Sequence, residues 1–183
     1  ILRKFNPMRL DRAFIDHFNE EGYVVIKGLD IISRFAVDII DRANKLARSI
    51  ATGCPAPSDP KESAGAYLQL ARFDRRSAGK VFDTLVKLPE LQRLCYSESL
   101  QTIAQQLLGT NFVLASPTQM NLRSDHPHEE LHLYPWHTDY AYNFSSINSL
   151  VFWIPLQEVN EINGALHVIP GSHKFSHQVA FDY

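Results

Sequence analysis

Ser149-Leu150-Val151-Phe152-Trp153-Ile154-Pro155-Leu156-Gln157 is a run of β-branched and aromatic residues, and it reads as a β-strand. Three further segments of the same half, Asn111–Arg123, Trp136–Tyr140 and Ala165–Ile169, read in the same way, separated by polar or glycine-containing turns. Upstream the pattern changes. Leu10, Phe14, Ile15 and Phe18 recur at helical spacing over residues 9–20, and Gly22 stands where a helix would stop. Tyr23-Val24-Val25-Ile26, between Gly22 and Gly28, reads as one early buried strand. Ile31 to Ile50 is again helical, and the Gly53-Cys54-Pro55-Ala56-Pro57 run breaks regular structure, so 51–66 reads as a loop. Helices are expected around 80–87 and over 97–108, where Leu100, Ile103, Leu107 and Leu108 precede Gly109. Helices with one early strand, then consecutive strands, predict an α+β domain with helices on a mostly antiparallel sheet.

The chain has 183 residues, 45% of them hydrophobic and 21% charged, enough for one real core, so a single domain over 1–183 is expected. The net charge of -2 and the scattered basic residues give no face for nucleic acid. No apolar run approaches the roughly 18 residues needed to cross a bilayer, and residues 1–20 lack the apolar stretch of a signal peptide. Cys54 and Cys95 lie in unrelated contexts and suggest neither a disulfide framework nor a thiolate metal site, which fits a reducing, cytoplasmic setting. No internal repeat or low-complexity segment is present, and nothing indicates an oligomeric state.

The chemistry concentrates after residue 119. In a strand, residues two apart share a face, their Cα atoms about 6.8 Å apart, so His137 and Asp139 can reach one ion. An imidazole with a carboxylate suits a divalent metal, and one more imidazole would complete the facial triad of iron(II) oxygenases. Trp136, Tyr140 and Tyr142 could wall water away from it. Spacing alone is weak support: eight histidines and eleven aspartates in 183 residues give about 0.5 His-x-Asp pairs by chance. A rival set, His126, His128, Glu130 and His132, also alternates, but in a uniformly polar segment containing Pro127 that reads as a solvated loop. Gln119, Asn121 and Arg123 alternate along one strand opposite Met120 and Leu122, a polar face able to meet a dicarboxylate if it lines a barrel.

The block from Gln119 to His173 gives these residues their context. Pro135-Trp136-His137-Thr138-Asp139, then Leu150–Leu156, then Asn163-Gly164-Ala165-Leu166 running into Val168-Ile169-Pro170-Gly171-Ser172-His173, resembles the phytanoyl-CoA dioxygenase family of iron(II)- and 2-oxoglutarate-dependent oxygenases. Phe14, Phe18 and Gly22-Tyr23-Val24-Val25 look like that family's opening helix and strand. The resemblance implies a mostly β core, a double-stranded β-helix of the jelly-roll, cupin-like kind with flanking N-terminal helices. It implies His137 and Asp139 as metal ligands and catalytic residues, Arg123 as a basic contact to 2-oxoglutarate, and Trp153 as a ring flanking that cosubstrate. A carboxylate at Asp139, where related halogenases carry a small residue, favours hydroxylation. The resemblance makes the Pro170–His173 turn structural, so His173 is expected to be a turn residue, and His167 a hydrogen-bonded core or face residue.

The family's third ligand and its 2-oxoglutarate-anchoring arginine are expected beyond Tyr183, since His177 comes too early after His173, so the β-helix is expected to be incomplete at its C-terminal end. The implied activity is hydroxylation of a small organic substrate with O2, with succinate and carbon dioxide as co-products. Loops at 51–79 and 140–148 are expected to set specificity. Two other readings stand beside it: a cupin-like metalloprotein using His126, His128 and His132, and a non-catalytic ligand-binding β-helix module.

Overall fold

A computed structural model describes residues 9–51, 65–115, 120, 122, 136–139 and 146–175. Six α-helices follow in order: α1 (Arg12–Glu21), α2 (Asp30–Ile50), α3 (Ala66–Phe73), α4 (Arg75–Leu85), α5 (Pro89–Cys95) and α6 (Glu98–Leu108). A short 3-10 turn, Ser172–Lys174, comes near the end of the described chain.

The helices form for local reasons that the residues state. Helix α6 has Leu100, Ile103, Ala104 and Leu107 buried on one face at spacings of three and four. Its Ser97 cap accepts the Leu100 amide, and Gly109 closes it in the left-handed conformation at φ 63°. Gly22 ends α1 in the same way, at φ 79°, its amide donating to Phe18 O at 2.8 Å. Helix α4 begins on Asp74, whose carboxylate accepts both the Ser77 amide (3.0 Å) and the Ser77 hydroxyl (2.6 Å). These bonds hold the Asp74 carboxyl below the usual carboxylate range, because they favour its charged form.

Helix α2 is the hub, packing against α3, α4 and α5, while α1 lies against α6. Ala47, Ala71 and Ala78 let α2, α3 and α4 approach closely around Tyr67, Leu70, Val81 and Leu85. A second cluster joins Ile39 of α2 to Leu91, Leu94 and Leu100, and a third joins Leu10 to Ile103 and Leu107. The Leu10 amide donates to Gln106 Oε1 at 2.8 Å, which ties the segment before α1 to α6. The Cys95 thiol is free and lies against the second cluster, and burial pushes its pKa up.

The expected β core is not what the structure contains. Helix accounts for 55% of the described residues, and among them there is no strand and no sheet, so the expectation of a mostly β, double-stranded β-helix core is overturned. The described parts of all five strand candidates, 23–26, 111–123, 136–140, 149–157 and 165–169, carry no strand. The physical reason is that β-propensity measures how well a side chain suits a pleated, half-buried surface. A strand needs a partner's ladder of hydrogen bonds, which a local pattern does not supply. Here apolar side chains follow the helices instead. Leu150, Ile154 and Leu156 pack on the second and third clusters, while Val151 and Trp153 are exposed. The segment read as a strand is therefore a strap that lays Leu150, Ile154 and Leu156 on the helices and leaves Phe152 exposed as well. The helices at 66–73 and 89–95 were not expected; the first corrects the loop reading of 51–79, of which 52–64 lies outside the described residues.

Candidate metal centre

Residues 136–139 form a short bend and turn rather than a strand, and this changes how His137 and Asp139 come together. On a strand they would share a face; here the turn at Asp139 folds the carboxylate back toward the ring. His137 Nε2 and Asp139 Oδ1 lie 3.3 Å apart, with side chains 24% and 52% exposed. Both donors are within reach of solvent, as an ion-loading site requires.

The donor set fits a divalent metal. Two donors 3.3 Å apart are close enough that one ion could be held by both. Imidazole nitrogen with carboxylate oxygen is the borderline donor combination that suits iron and its neighbours. Among the described residues no group of three His, Cys, Asp or Glu side chains converges.

Trp136 is 67% exposed and does not screen the pair from water. Tyr140 and Tyr142 lie outside the described residues, as do Gln119, Asn121 and Arg123 and the rival set His126, His128, Glu130 and His132. Trp153 is 41% exposed, while Leu150, Ile154 and Leu156 pack on the helices. His167 is exposed on the surface rather than in the core.

The two later motif pieces are turn architecture. The Asn163 side chain accepts the Asn160 amide at 2.6 Å and donates to Glu158 O at 2.9 Å, and Gly164 follows at φ 97°, so Asn163-Gly164 builds a closed loop. In the Pro170–His173 turn, Gly171 adopts φ 72° and donates its amide to Glu21 O at 2.8 Å. The His173 ring lies over Gly22, with Nε2 3.1 Å from Asn19 O. Lys174 meets Glu20 at 2.7 Å. The contacts of Gly171, His173 and Lys174 with α1 were not foreseen from the sequence, because their partners sit 150 to 154 residues apart and no local signal links them.

The phytanoyl-CoA dioxygenase family model matches residues 18–182, which spans the end of α1, the His137–Asp139 pair and the turn at 170–174. The chain belongs to the phytanoyl-CoA dioxygenase family. No curated protein and no solved structure matches it. Membership makes an oxygenase-type enzyme of the chain that carries the pair, and places a small-molecule substrate and O2 among its partners. Among the described residues no helix is long and apolar enough to cross a membrane.

Proposed function

We propose that His137 and Asp139 supply two ligands of an iron(II) centre in a 2-oxoglutarate-dependent oxygenase that hydroxylates a small organic substrate, releasing succinate and carbon dioxide. The observation that carries this reading is the convergence of His137 Nε2 and Asp139 Oδ1 to 3.3 Å within a family of oxygenases.

When bound, the metal would supply the redox chemistry that activates O2 as 2-oxoglutarate is decarboxylated. The protein's own residues do the rest. His137 is assigned to offer its imidazole Nε2 and Asp139 its carboxylate Oδ1, 3.3 Å apart, as two donors of a set that would keep positions for substrate and O2. The Asp139 carboxylate occupies a position that halide would need, which favours hydroxylation. Arg123 is assigned to a carboxylate of 2-oxoglutarate, because guanidinium pairs with carboxylate through two parallel hydrogen bonds. Gln119 is assigned as a neutral polar contact to the same cosubstrate. Trp153, exposed on one face and anchored through its neighbours on the other, is assigned to flank it.

The test is anaerobic iron(II) titration of the full-length protein, followed by O2 uptake and succinate release with 2-oxoglutarate and a substrate panel. His137→Ala and Asp139→Ala should each weaken iron binding by about 100-fold or more, since losing a ligand exceeds the 10- to 100-fold loss typical of an outer partner, while far-UV circular dichroism stays helical. Iron affinity that survives both changes and is lost with His128→Ala would transfer the metal to the His126–His132 segment and end this proposal.

A further inference from the structure

Helix α1 is poorly equipped to stand alone. It has 10 residues, no side-chain bond at its N-cap, no buried residue, and no basic residue in its last turn. Isolated helices shorter than about 12–15 residues are marginal in water. Its C-terminal end also carries Glu20 and Glu21, two carboxylates at the negative end of the helix dipole, which is the unfavourable placement. The carbonyls of a last helical turn have no partner within the helix and need one from elsewhere.

Residues 157–175 have the complementary deficit. Most of them are exposed, and among the described residues Asn160 and Asn163 bond within their own loop. Among the described residues, three polar contacts join 157–175 to the rest of the chain, and all three end on the last turn of α1. The Gly171 amide donates to Glu21 O at 2.8 Å, His173 Nε2 meets Asn19 O at 3.1 Å, and Lys174 Nζ meets Glu20 Oε1 at 2.7 Å. The turn thus satisfies two orphan carbonyls and brings to the helix terminus the positive charge that α1 lacks.

The seat of this contact is Gly22. Its backbone has the left-handed φ of 79°, and a Cβ there would lie 2.7 Å from His173 Cγ, an overlap that only displacement of the ring could relieve. Gly22 therefore serves twice, ending α1 and admitting the His173 ring beside it.

We propose that the Pro170–Lys174 turn is a latch, seated on Gly22 and closed on the last turn of α1, whose opening frees residues 157–170 and loosens α1 together while α2–α6 stay folded. Such local opening is expected where few buried contacts hold a segment and one set of bonds secures it. The clusters that hold α2 to α3, α4, α5 and α6 contain no residue from 157–175, and α1 itself rests on α6 only at the edge of a small third cluster, through the partly buried Ile15 and Phe18.

Hydrogen exchange followed by mass spectrometry on the full-length protein tests it, with His173→Ala, Lys174→Ala and Gly22→Ala compared with wild type. Protection should fall by about tenfold in both 157–170 and 12–21 for His173→Ala and Gly22→Ala, as expected for losing one or two hydrogen bonds. Lys174→Ala, which removes only an exposed ion pair, should show a smaller fall in the same two segments. Peptides from α2, α4 and α6 should be unchanged. Loss in one segment without the other, no change in either, or a parallel loss across α2–α6 would each overturn the latch. Because Lys174→Ala touches no backbone conformation, it decides the matter even if Gly22→Ala fails to fold.

Discussion

Ile39 is fully buried on α2, while Val37, two residues earlier on the other side of Asp38, is 70% exposed. The two form a matched test of the helical core. Ile39 packs against Leu91, Leu94 and Leu100, with Ile154 and Leu156 at the edge of the same cluster. Ile39→Ala removes three carbons, worth about 2.4 kcal/mol in transfer at roughly 0.8 kcal/mol each. The cavity left among leucines adds to this, so the total should be about 3–4 kcal/mol, inside the 2–5 kcal/mol range for such truncations. For a chain of this size that corresponds to a fall in Tm of about 6–16 °C. Ile39→Val should cost about 1 kcal/mol. Val37→Ala should be neutral or stabilising by up to about 0.5 kcal/mol, because alanine is the better helix former and no contact is lost. Urea unfolding followed by helical circular dichroism measures all three. If Ile39→Ala costs under about 1 kcal/mol, or Val37→Ala costs as much as Ile39→Ala, then α2 does not face the core in the way described.

The one-sided strap at 150–156 makes a second contrast: Ile154→Asp, which places a carboxylate against the second cluster, should destabilise by about 2 kcal/mol, whereas Val151→Asp on the exposed side should stay within about 0.5 kcal/mol, both read by urea unfolding. The hydrogen bond and charge of Lys174 hold the Glu20 carboxyl below its ordinary value of 4.5, so its contribution is present above that pH and is lost as pH falls through the lowered folded value. Thermal unfolding across the acid range should accordingly show wild type and Glu20→Gln converging at low pH and separating above it; a gap that widens on acidification would refute the assignment. Glu90 is buried with Oε1 on Arg42 Nη2 at 2.9 Å and Oε2 without a partner among the described residues, so Arg42→Met should destabilise more than Glu90→Leu, and the double variant should recover part of the loss in a double-mutant cycle.

Helices with their signals in the chain were legible. α6 announces itself by Ser97, Gly109 and a face of Leu100, Ile103 and Leu107, and α1 by its spacing and Gly22. Helix α3 was hidden because Asp74 alone separates it from α4, without a glycine or proline to mark the break. Helix α5 was hidden because seven residues are too few to show a period. The strand readings failed for a different reason: Leu150, Ile154 and Leu156 do turn inward, but the surface they meet is helical and Phe152 between them is exposed.

At the candidate centre the sequence by itself determined which two groups are two residues apart and, through the ordered pieces that follow them, the family to which the chain belongs. Donor chemistry is a property of residue type, so an imidazole and a carboxylate were legible before any fold. Only the tertiary structure decided that a turn rather than a strand brings His137 and Asp139 to 3.3 Å, and that the core is helical. It alone decided that His173 rests on Gly22 at the end of α1. Each of these depends on what packs against a segment, and a partner over a hundred residues away leaves no mark on local composition.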